Sequence, residues 1–175
     1  MKKYPNEHKD IVSSLLDGKF IIYPSPLFAV LQQDEYAEDY KEFFKRTYEY
    51  ELIIDAEFAY LSSNEVNEKR TRDFVLFLAI LCRELDYSGK NFKDTIELAS
   101  FDISETEQLL RQSSKWEILE KTSVDKFDTF IEAWHRRNVL KKSNNQFKFT
   151  KAVKLFFEFA VNIANTKLKE QQEIN

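Results

Sequence analysis

The chain has 175 residues, of which 43% are hydrophobic and 15% aromatic, and its formal net charge is −4. This composition excludes a disordered chain, because disorder requires few aromatic residues and little apolar surface to bury. With only 2 Gly and 3 Pro, the chain also lacks the turn residues that an all-β sandwich needs about every eight to twelve residues. A mainly helical protein of one domain, or of two small ones, is predicted.

The first half of the chain predicts a helix, a short strand, two helices and a hairpin in that order. Gly18 stands where the first helix would end, and FIIY at residues 20–23 predicts the short strand. Ser25 is a candidate N-cap with Pro26 at the first helical position. The stretch YELIIDAEFAYL, residues 50–61, alternates as two strands around a turn. This is the element order of a winged-helix domain.

The third helix carries five acidic residues with helical spacing. A stripe along one face of the helix is formed by Asp34, Glu35, Glu38, Asp39 and Glu42. One interpretation is a solvated face whose first acids favour the helix N-terminus. The other is a docking face for a basic partner, and we carry all five residues as candidate partner-binding residues. A carboxylate pair for acid-base catalysis would need burial and distinct environments, which this pattern does not indicate.

The second half repeats the same order. Residues 70–85 are apolar on nearly all sides, which predicts a buried helix. Phe92 is predicted in the small strand, and Ser104 with Glu107 forms the pattern of a capping box. A second hairpin is predicted at residues 139–149, where VLKK and FKF flank the turn SNNQ.

The repeated order predicts a mainly α fold with small β-hairpin wings, an α+β arrangement of tandem winged-helix domains. We expect an N-terminal winged-helix domain at residues 1–63. Residues 64–175 would form the C-terminal one, with a long connecting first helix and a terminal helix.

Known catalytic and metal-binding patterns are not found. Gly18 and Gly89 are too far apart for a phosphate-binding loop. His8 and His135 lie in separate halves without a nearby cysteine, so no metal site and no cofactor are predicted. Cys82 lies in the apolar run FVLFLAILC, and we expect an unreactive thiol whose pKa is raised by burial. The sequence therefore indicates a protein that is not an enzyme.

The cysteine content and the hydropathy of the chain indicate the cellular compartment of the protein. A single cysteine cannot form an internal disulfide, which favours a reducing cytoplasm. The apolar run around it is much shorter than the roughly 20 residues of a membrane-spanning helix, and no signal segment opens the chain. We expect a cytoplasmic protein with no membrane partner.

Cations gather between residues 133 and 154, a stretch without Asp or Glu. They are Arg136, Arg137, Lys141, Lys142, Lys148, Lys151 and Lys154. One interpretation is sequence-independent contact with DNA phosphates, because clustered cations release the counterions of the backbone. The other is a solvated, charged hairpin. Base reading by the third helix of either half is disfavoured, because both helices open with acidic residues.

Several segments carry a resemblance to a known family. They are LLDGKF, SPLFAVL, YELIIDAEFAYL, FVLFLAILCREL and FIEAWHRRNVLKKSNNQFKF, which are distributed between residues 15 and 149. The sequence resembles MukE and MksE, the kleisin-interacting tandem winged-helix (KITE) subunits of bacterial condensin-like SMC complexes.

The resemblance implies a non-catalytic, homodimeric subunit that binds a kleisin, which in turn bridges a coiled-coil SMC ATPase. Such complexes, of the MukBEF or Mks type, associate with the nucleoid in chromosome condensation and segregation, or act in plasmid defence. No catalytic residues are carried over. The alternative from the fold alone is a free-standing winged-helix transcription regulator, which would need a sequence-specific DNA site.

Overall fold

A computed structural model describes residues 4–62 and 68–159 of the chain. The first half contains α1 (His8–Leu16), β1 (Ile21–Ile22), α2 (Pro26–Leu31), α3 (Asp34–Tyr48), β2 (Glu51–Ile54) and β3 (Phe58–Ser62). The second half contains α4 (Glu68–Tyr87), α5 (Phe92–Leu98), β4 (Phe101–Asp102), α6 (Ile103–Gln112), α7 (Trp116–Leu119), a 3₁₀ turn (Ser123–Asp125), α8 (Phe127–Arg136), β5 (Leu140–Ser143) and β6 (Gln146–Phe149). Residues 153–159 are helical.

The chain divides into two compact units. The first unit consists of Met1–Val66, Ala133–Lys141 and Thr150–Ala152. The second consists of Asn67–Glu132, Lys142–Phe149 and Val153–Asn175. Each unit is thus built from three separate segments of the chain. The division into domains at residues 1–63 and 64–175 stays a prediction.

Local signals explain the helix ends of the first unit. The Ser25 hydroxyl accepts a 3.1 Å hydrogen bond from the backbone N–H of Phe28, with Pro26 at the start of α2, as predicted. Gly18 follows α1 with a φ of +72°, a left-handed conformation that side chains disfavour. Both signals lie within a few residues of the feature they control, which is why the sequence predicts them.

The core of the first unit forms between the helices and the inner face of its sheet. The strand order is β1-β3-β2, and both pairings are antiparallel. Buried members of this core include Ile11, Leu15, Phe28, Leu31, Tyr40, Phe44, Leu52 and Ala59. The helical members recur at the three- and four-residue spacing of an amphipathic helix, whereas Leu52 and Ala59 come from neighbouring strands.

The second unit has an aromatic core. Its buried rings include Phe74, Phe77, Phe101, Phe127, Phe130, Phe147, Phe149 and Phe156. The Phe74 and Phe156 ring centres are 4.6 Å apart in an edge-to-face contact, a favourable geometry for aromatic pairs. The burial of Phe74, Phe77, Leu78 and Leu81 confirms that α4 packs into a core, although Tyr87 at its end is 70% exposed.

Two local predictions in the second half are wrong. Phe92 begins α5, and the small strand is β4, where Phe101 pairs with Phe147 of β6. Asp102, rather than Ser104, caps α6, because its carboxylate accepts a 3.0 Å hydrogen bond from the backbone N–H of Glu105. Pairing with β6 holds Asp102 in an extended conformation immediately before the helix, and this pairing depends on residues far away in sequence.

The fold class is confirmed. The protein is mainly α-helical with two small three-stranded antiparallel sheets, of which the second has the strand order β4-β6-β5. Each sheet contains a hairpin that follows a helix, β2–β3 after α3 and β5–β6 after α8. No helix within residues 4–62 and 68–159 combines the length and the apolar character that a membrane span requires.

Candidate functional site

The seven predicted cations fall into both units. Arg136, Arg137, Lys141 and Lys151 belong to the first unit, and Lys142, Lys148 and Lys154 belong to the second. Arg136, Lys141, Lys148 and Lys151 are exposed, whereas the other three are partly buried. The sequence cluster is therefore not uniform in its availability to a ligand.

Lys141 and Lys148 are exposed residues on the two strands of the second hairpin, β5 and β6. Phe147 and Phe149 of β6 are buried, so strand alternation directs the side chain of Lys148 to the opposite face. Neither lysine forms an ion pair with any residue that the structure describes. These two ammonium groups meet the requirement for phosphate contact, since no carboxylate within residues 4–62 and 68–159 neutralises them.

Other cations of the set already interact within their own unit. The Arg137 guanidinium lies 5.5 Å from the centre of the Trp134 ring. The Lys142 ammonium is 3.7 Å from a carboxylate oxygen of Glu132. The Lys151 ammonium is 3.4 Å from Glu57. Their contribution to a DNA surface is reduced by these contacts.

Backbone contacts hold the segment after α8 within the first unit. The backbone N–H of Phe20 donates to the Arg137 carbonyl at 2.9 Å, and the Asn138 side-chain amide donates to the Phe20 carbonyl at 2.9 Å. Asn138 has a φ of +62°, and its own carbonyl accepts a 2.6 Å hydrogen bond from the Thr150 hydroxyl. An Asn two residues after the last residue of a helix is the sequence signal for this left-handed position, but its long-range partner carries no such signal.

The tip of the second hairpin is attached to the start of α6. The side-chain amide of Asn145 donates to the Asp102 carboxylate at 2.9 Å. The backbone carbonyl of Asn145 accepts from the backbone N–H of Ile103 at 2.8 Å. Asn144 has a φ of +52°, as expected for a tight turn that uses Asn. Asp102 therefore caps a helix and orients the turn at the same time.

The acidic stripe of α3 is partly neutralised within the helix. Glu38 lies 2.7 Å from the Lys41 ammonium, and Glu42 lies 2.6 Å from the Arg46 guanidinium. Both pairs are exposed, so each contributes well under about 1 kcal/mol to stability.

The first turn of α3 is different. Asp34 and Glu35 are exposed there, at the positive end of the helix dipole. Asp39 is partly buried. The N-terminal end of α3 therefore presents carboxylates where a helix that enters the major groove would approach DNA phosphates, which repel them.

Comparison with known proteins defines the family. A family model described as condensin complex protein MksE matches residues 6–161. The chain belongs to the MksE family. No curated protein matches it. As an MksE-family protein, it is an accessory subunit of a condensin-like complex, and this family is non-catalytic.

The cysteine and the two histidines of this MksE-family chain lie in environments that indicate structural roles. Burial raises the pKa of the Cys82 thiol to about 12, which confirms the predicted direction and makes the thiol a poor nucleophile at neutral pH. His8 contacts the Tyr40 hydroxyl at 3.1 Å, and His135 contacts the Leu140 carbonyl at 3.4 Å. Within the described parts of the chain, no three His, Cys, Asp or Glu side chains are grouped as metal ligands.

Proposed function

We propose that this MksE-family chain binds the kleisin of an SMC complex and contacts the DNA backbone through its second hairpin without reading sequence. The observation that carries the first part is the match of the family model over residues 6–161. Through the kleisin the chain would be linked to a coiled-coil SMC ATPase, and the chain itself would act as a homodimer.

The charges on the second hairpin and at the starts of α3 and α8 support the proposed contact with the DNA backbone. Lys141 and Lys148 are exposed on the second hairpin, where they could neutralise two phosphates and release the cations condensed on the DNA. The first turns of α3 and α8 carry Asp34, Glu35 and Asp128 instead. Carboxylates at these helix starts oppose insertion into the major groove, so the hairpin favours contact with phosphates rather than with bases.

The biological role follows from the complex. A kleisin-bound subunit that adds weak, salt-dependent DNA contacts would help an SMC complex hold DNA during chromosome condensation and segregation, or hold plasmid DNA in a defence system. The protein would then associate with the nucleoid. The acidic stripe of α3, from Asp34 to Glu42, remains our proposed docking face for a basic partner segment.

Co-expression tests the kleisin part of the proposal. The full chain is produced with the kleisin of the same organism, and the mixture is separated by size-exclusion chromatography with mass determination. We expect one complex that contains two copies of the chain. Separate elution of the two proteins at micromolar concentration would contradict kleisin binding.

A free-standing regulator would give a different result. It would elute without the kleisin and would select one sequence from a pool of random duplexes, and this selectivity would persist as salt rises. Uniform loss of all duplexes with salt is the outcome expected for backbone contact.

A further inference from the structure

β2 is an outer strand of the first sheet. In the order β1-β3-β2, it pairs with β3 on one side, and α3 is the helix that packs against it. Among residues 4–62 and 68–159, no hydrogen bond reaches the side of Glu51–Ile54 that faces away from β3. A strand edge of this kind can pair with an added strand, because its backbone groups already have the required geometry.

The register shows which backbone groups face outward. The backbone N–H of Asp55 donates to the Phe58 carbonyl at 2.9 Å, which marks this pair as hydrogen-bonded. Hydrogen-bonded and non-hydrogen-bonded pairs alternate along an antiparallel ladder. Ile53 therefore directs its N–H and C=O toward β3. Leu52 and Ile54 direct theirs away from it.

The pairing of β3 with β1 leads to the same assignment of the outward-facing backbone groups of β2. The backbone N–H of Tyr23 donates to the Glu57 carbonyl at 2.9 Å, and Ala59 lies opposite Ile21 in β1. Ala59 lies two residues after Glu57 in β3. Because hydrogen-bonded pairs recur at every second residue, Ala59 is also hydrogen-bonded to β1. Since its backbone groups face β1, they are not available to Ile54 in β2. Two independent hydrogen bonds thus agree on the outward groups.

The free edge is acidic. Residues 49–62 include Glu49, Glu51 and Asp55, as well as Glu57, which pairs with Lys151, but no Lys or Arg. Glu49 and Glu51 are exposed, and neither forms an ion pair with a described residue. The outer strand β5 differs, because Lys141 and Lys142 supply the positive charge that commonly blunts a sheet edge.

Two aromatic side chains extend this surface at the start of β2. The rings of Tyr48 and Tyr50 are stacked at 6.3 Å with an interplanar angle of 16°. Both are exposed, at 39% and 37%. Exposed tyrosine faces attract guanidinium and ammonium groups. The aromatic pair and the carboxylates therefore favour the same class of ligand.

We infer that the free edge of β2 binds an extended peptide segment that carries arginine or lysine, as a fourth strand of the first sheet. Its backbone would pair with the N–H and C=O groups of Leu52 and Ile54, and its cations would face Glu51 and Asp55. The inference rests on the proposed function, because it assigns this segment to the kleisin.

A second copy of the chain does not fit this edge. Pairing of Leu52 with Ile54 between two antiparallel β2 strands would place Glu51 of one copy opposite Asp55 of the other. Like charges directly opposite each other destabilise a strand pair. Charge complementarity therefore selects a basic partner over self-association through β2.

Amide hydrogen exchange of the full chain, free and in complex with the kleisin, tests the pairing at single residues. In the free chain, the Ile53 amide should exchange slowly, whereas the amides of Leu52 and Ile54 should exchange fast. In the complex, the Leu52 and Ile54 amides should become protected. Unchanged exchange at these two amides in a formed complex would overturn the inference, as would protection confined to α3.

Charge reversal gives a second measurement. Glu51 is exposed and has no ionic partner among the described residues, so Glu51→Lys should fold normally and should weaken kleisin binding about tenfold. Glu117→Lys, the same change at an exposed position of α7, is the matched control and should bind as the unaltered chain does. Equal affinities of the two variants would count against the β2 edge.

A proline substitution probes the backbone directly. Ile54→Pro removes an N–H that faces away from β3, which an edge strand tolerates, and should weaken binding about fivefold through the lost hydrogen bond. Ile54→Val retains the N–H and should bind normally. If the unaltered chain does not bind the kleisin, the proposed function fails together with this inference. If it binds and the variants bind equally well, only the edge assignment fails.

Discussion

The backbone carbonyl of Arg137 accepts a 2.9 Å hydrogen bond from the backbone N–H of Phe20. Arg137 was predicted as a phosphate contact, and its guanidinium also lies over Trp134, which is only 5% exposed. A charge change at this position would therefore alter packing within the first unit as well as any DNA contact. Residues on the second hairpin are cleaner probes of DNA binding.

Asn138 should contribute measurably to stability. Asn138→Ala loses the 2.9 Å hydrogen bond to the Phe20 carbonyl and places a side chain other than Asn or Gly at a φ of +62°. We expect a loss of about 2 kcal/mol in the free energy of unfolding, measured by urea denaturation. Asn138→Gly keeps the backbone relaxed and should lose only about 1 kcal/mol. Equal losses would show that φ is unimportant here.

The double variant Lys141→Glu, Lys148→Glu should reduce DNA binding without affecting stability. Two phosphate contacts are removed, so the slope of log affinity against log salt should fall by about 2 in fluorescence anisotropy titrations. Lys90→Glu with Lys93→Glu makes the same charge change at exposed positions before and within α5. This control should bind DNA like the unaltered chain. An equal loss in both variants would indicate a net-charge effect and contradict a role for the hairpin.

Tyr40 should make stability fall at alkaline pH. Burial, with smaller effects of Tyr4 and Glu7, raises the pKa of Tyr40 from 10.0 to about 12. Below pH 10 the hydroxyl is protonated in both the folded and unfolded states. As pH rises toward 12, only the unfolded state ionises. The free energy of unfolding should therefore fall by about 2 kcal/mol across this range.

The Tyr40→Phe variant isolates this effect. It cannot ionise, so its unfolding free energy, measured by urea denaturation between pH 8 and 12, should fall less steeply. Cys82 contributes a loss of the same sign in both proteins, since its pKa is also raised. Parallel pH profiles for the two proteins would contradict the assignment to Tyr40. The variant also loses the 3.1 Å contact with His8, which lowers its stability at all pH values.

Asp73 should be among the most sensitive polar positions of the second unit. It is 1% exposed, and one carboxylate oxygen accepts hydrogen bonds from the Ser123 backbone N–H at 3.0 Å and hydroxyl at 2.9 Å. Asp73→Ala leaves both donors without an acceptor and should cost about 3 kcal/mol in urea unfolding. Ser123→Ala removes only the hydroxyl and should cost about 1 kcal/mol. Similar costs for the two variants would show that the backbone contact is unimportant.

The two hairpins and the start of α2 were predictable because their signals are local. Ser25 contacts a backbone N–H three residues away, and the strands β2 and β3 alternate over adjacent segments. The pattern around Phe92 predicts a strand, but a single apolar residue after a turn is equally consistent with a helix. The choice depends on β6, whose pairing with β4 joins residues more than forty positions apart.

For the candidate site, too, some features were predictable from the local sequence and others depended on long-range contacts. The sequence predicts that cations gather between residues 133 and 154, but it carries no signal that pairs Lys151 with Glu57 or Lys142 with Glu132. Long side chains reach partners that only the folded backbone brings within 4 Å. The sequence therefore defined the set, and the structure separated Lys141 and Lys148 from members that already have partners.

The sequence by itself determined the fold class, the hairpin turns, the MksE-like pattern and the sign of charge along each segment. These properties depend on hydrophobic spacing, caps and composition, which act over a few residues. Tertiary structure alone decided the anchoring of Asn138 to Phe20, the burial of Asp73 and the outward groups of β2. Each of these depends on a hydrogen bond, or on a lack of one, between backbone segments whose approach is not encoded by any local pattern.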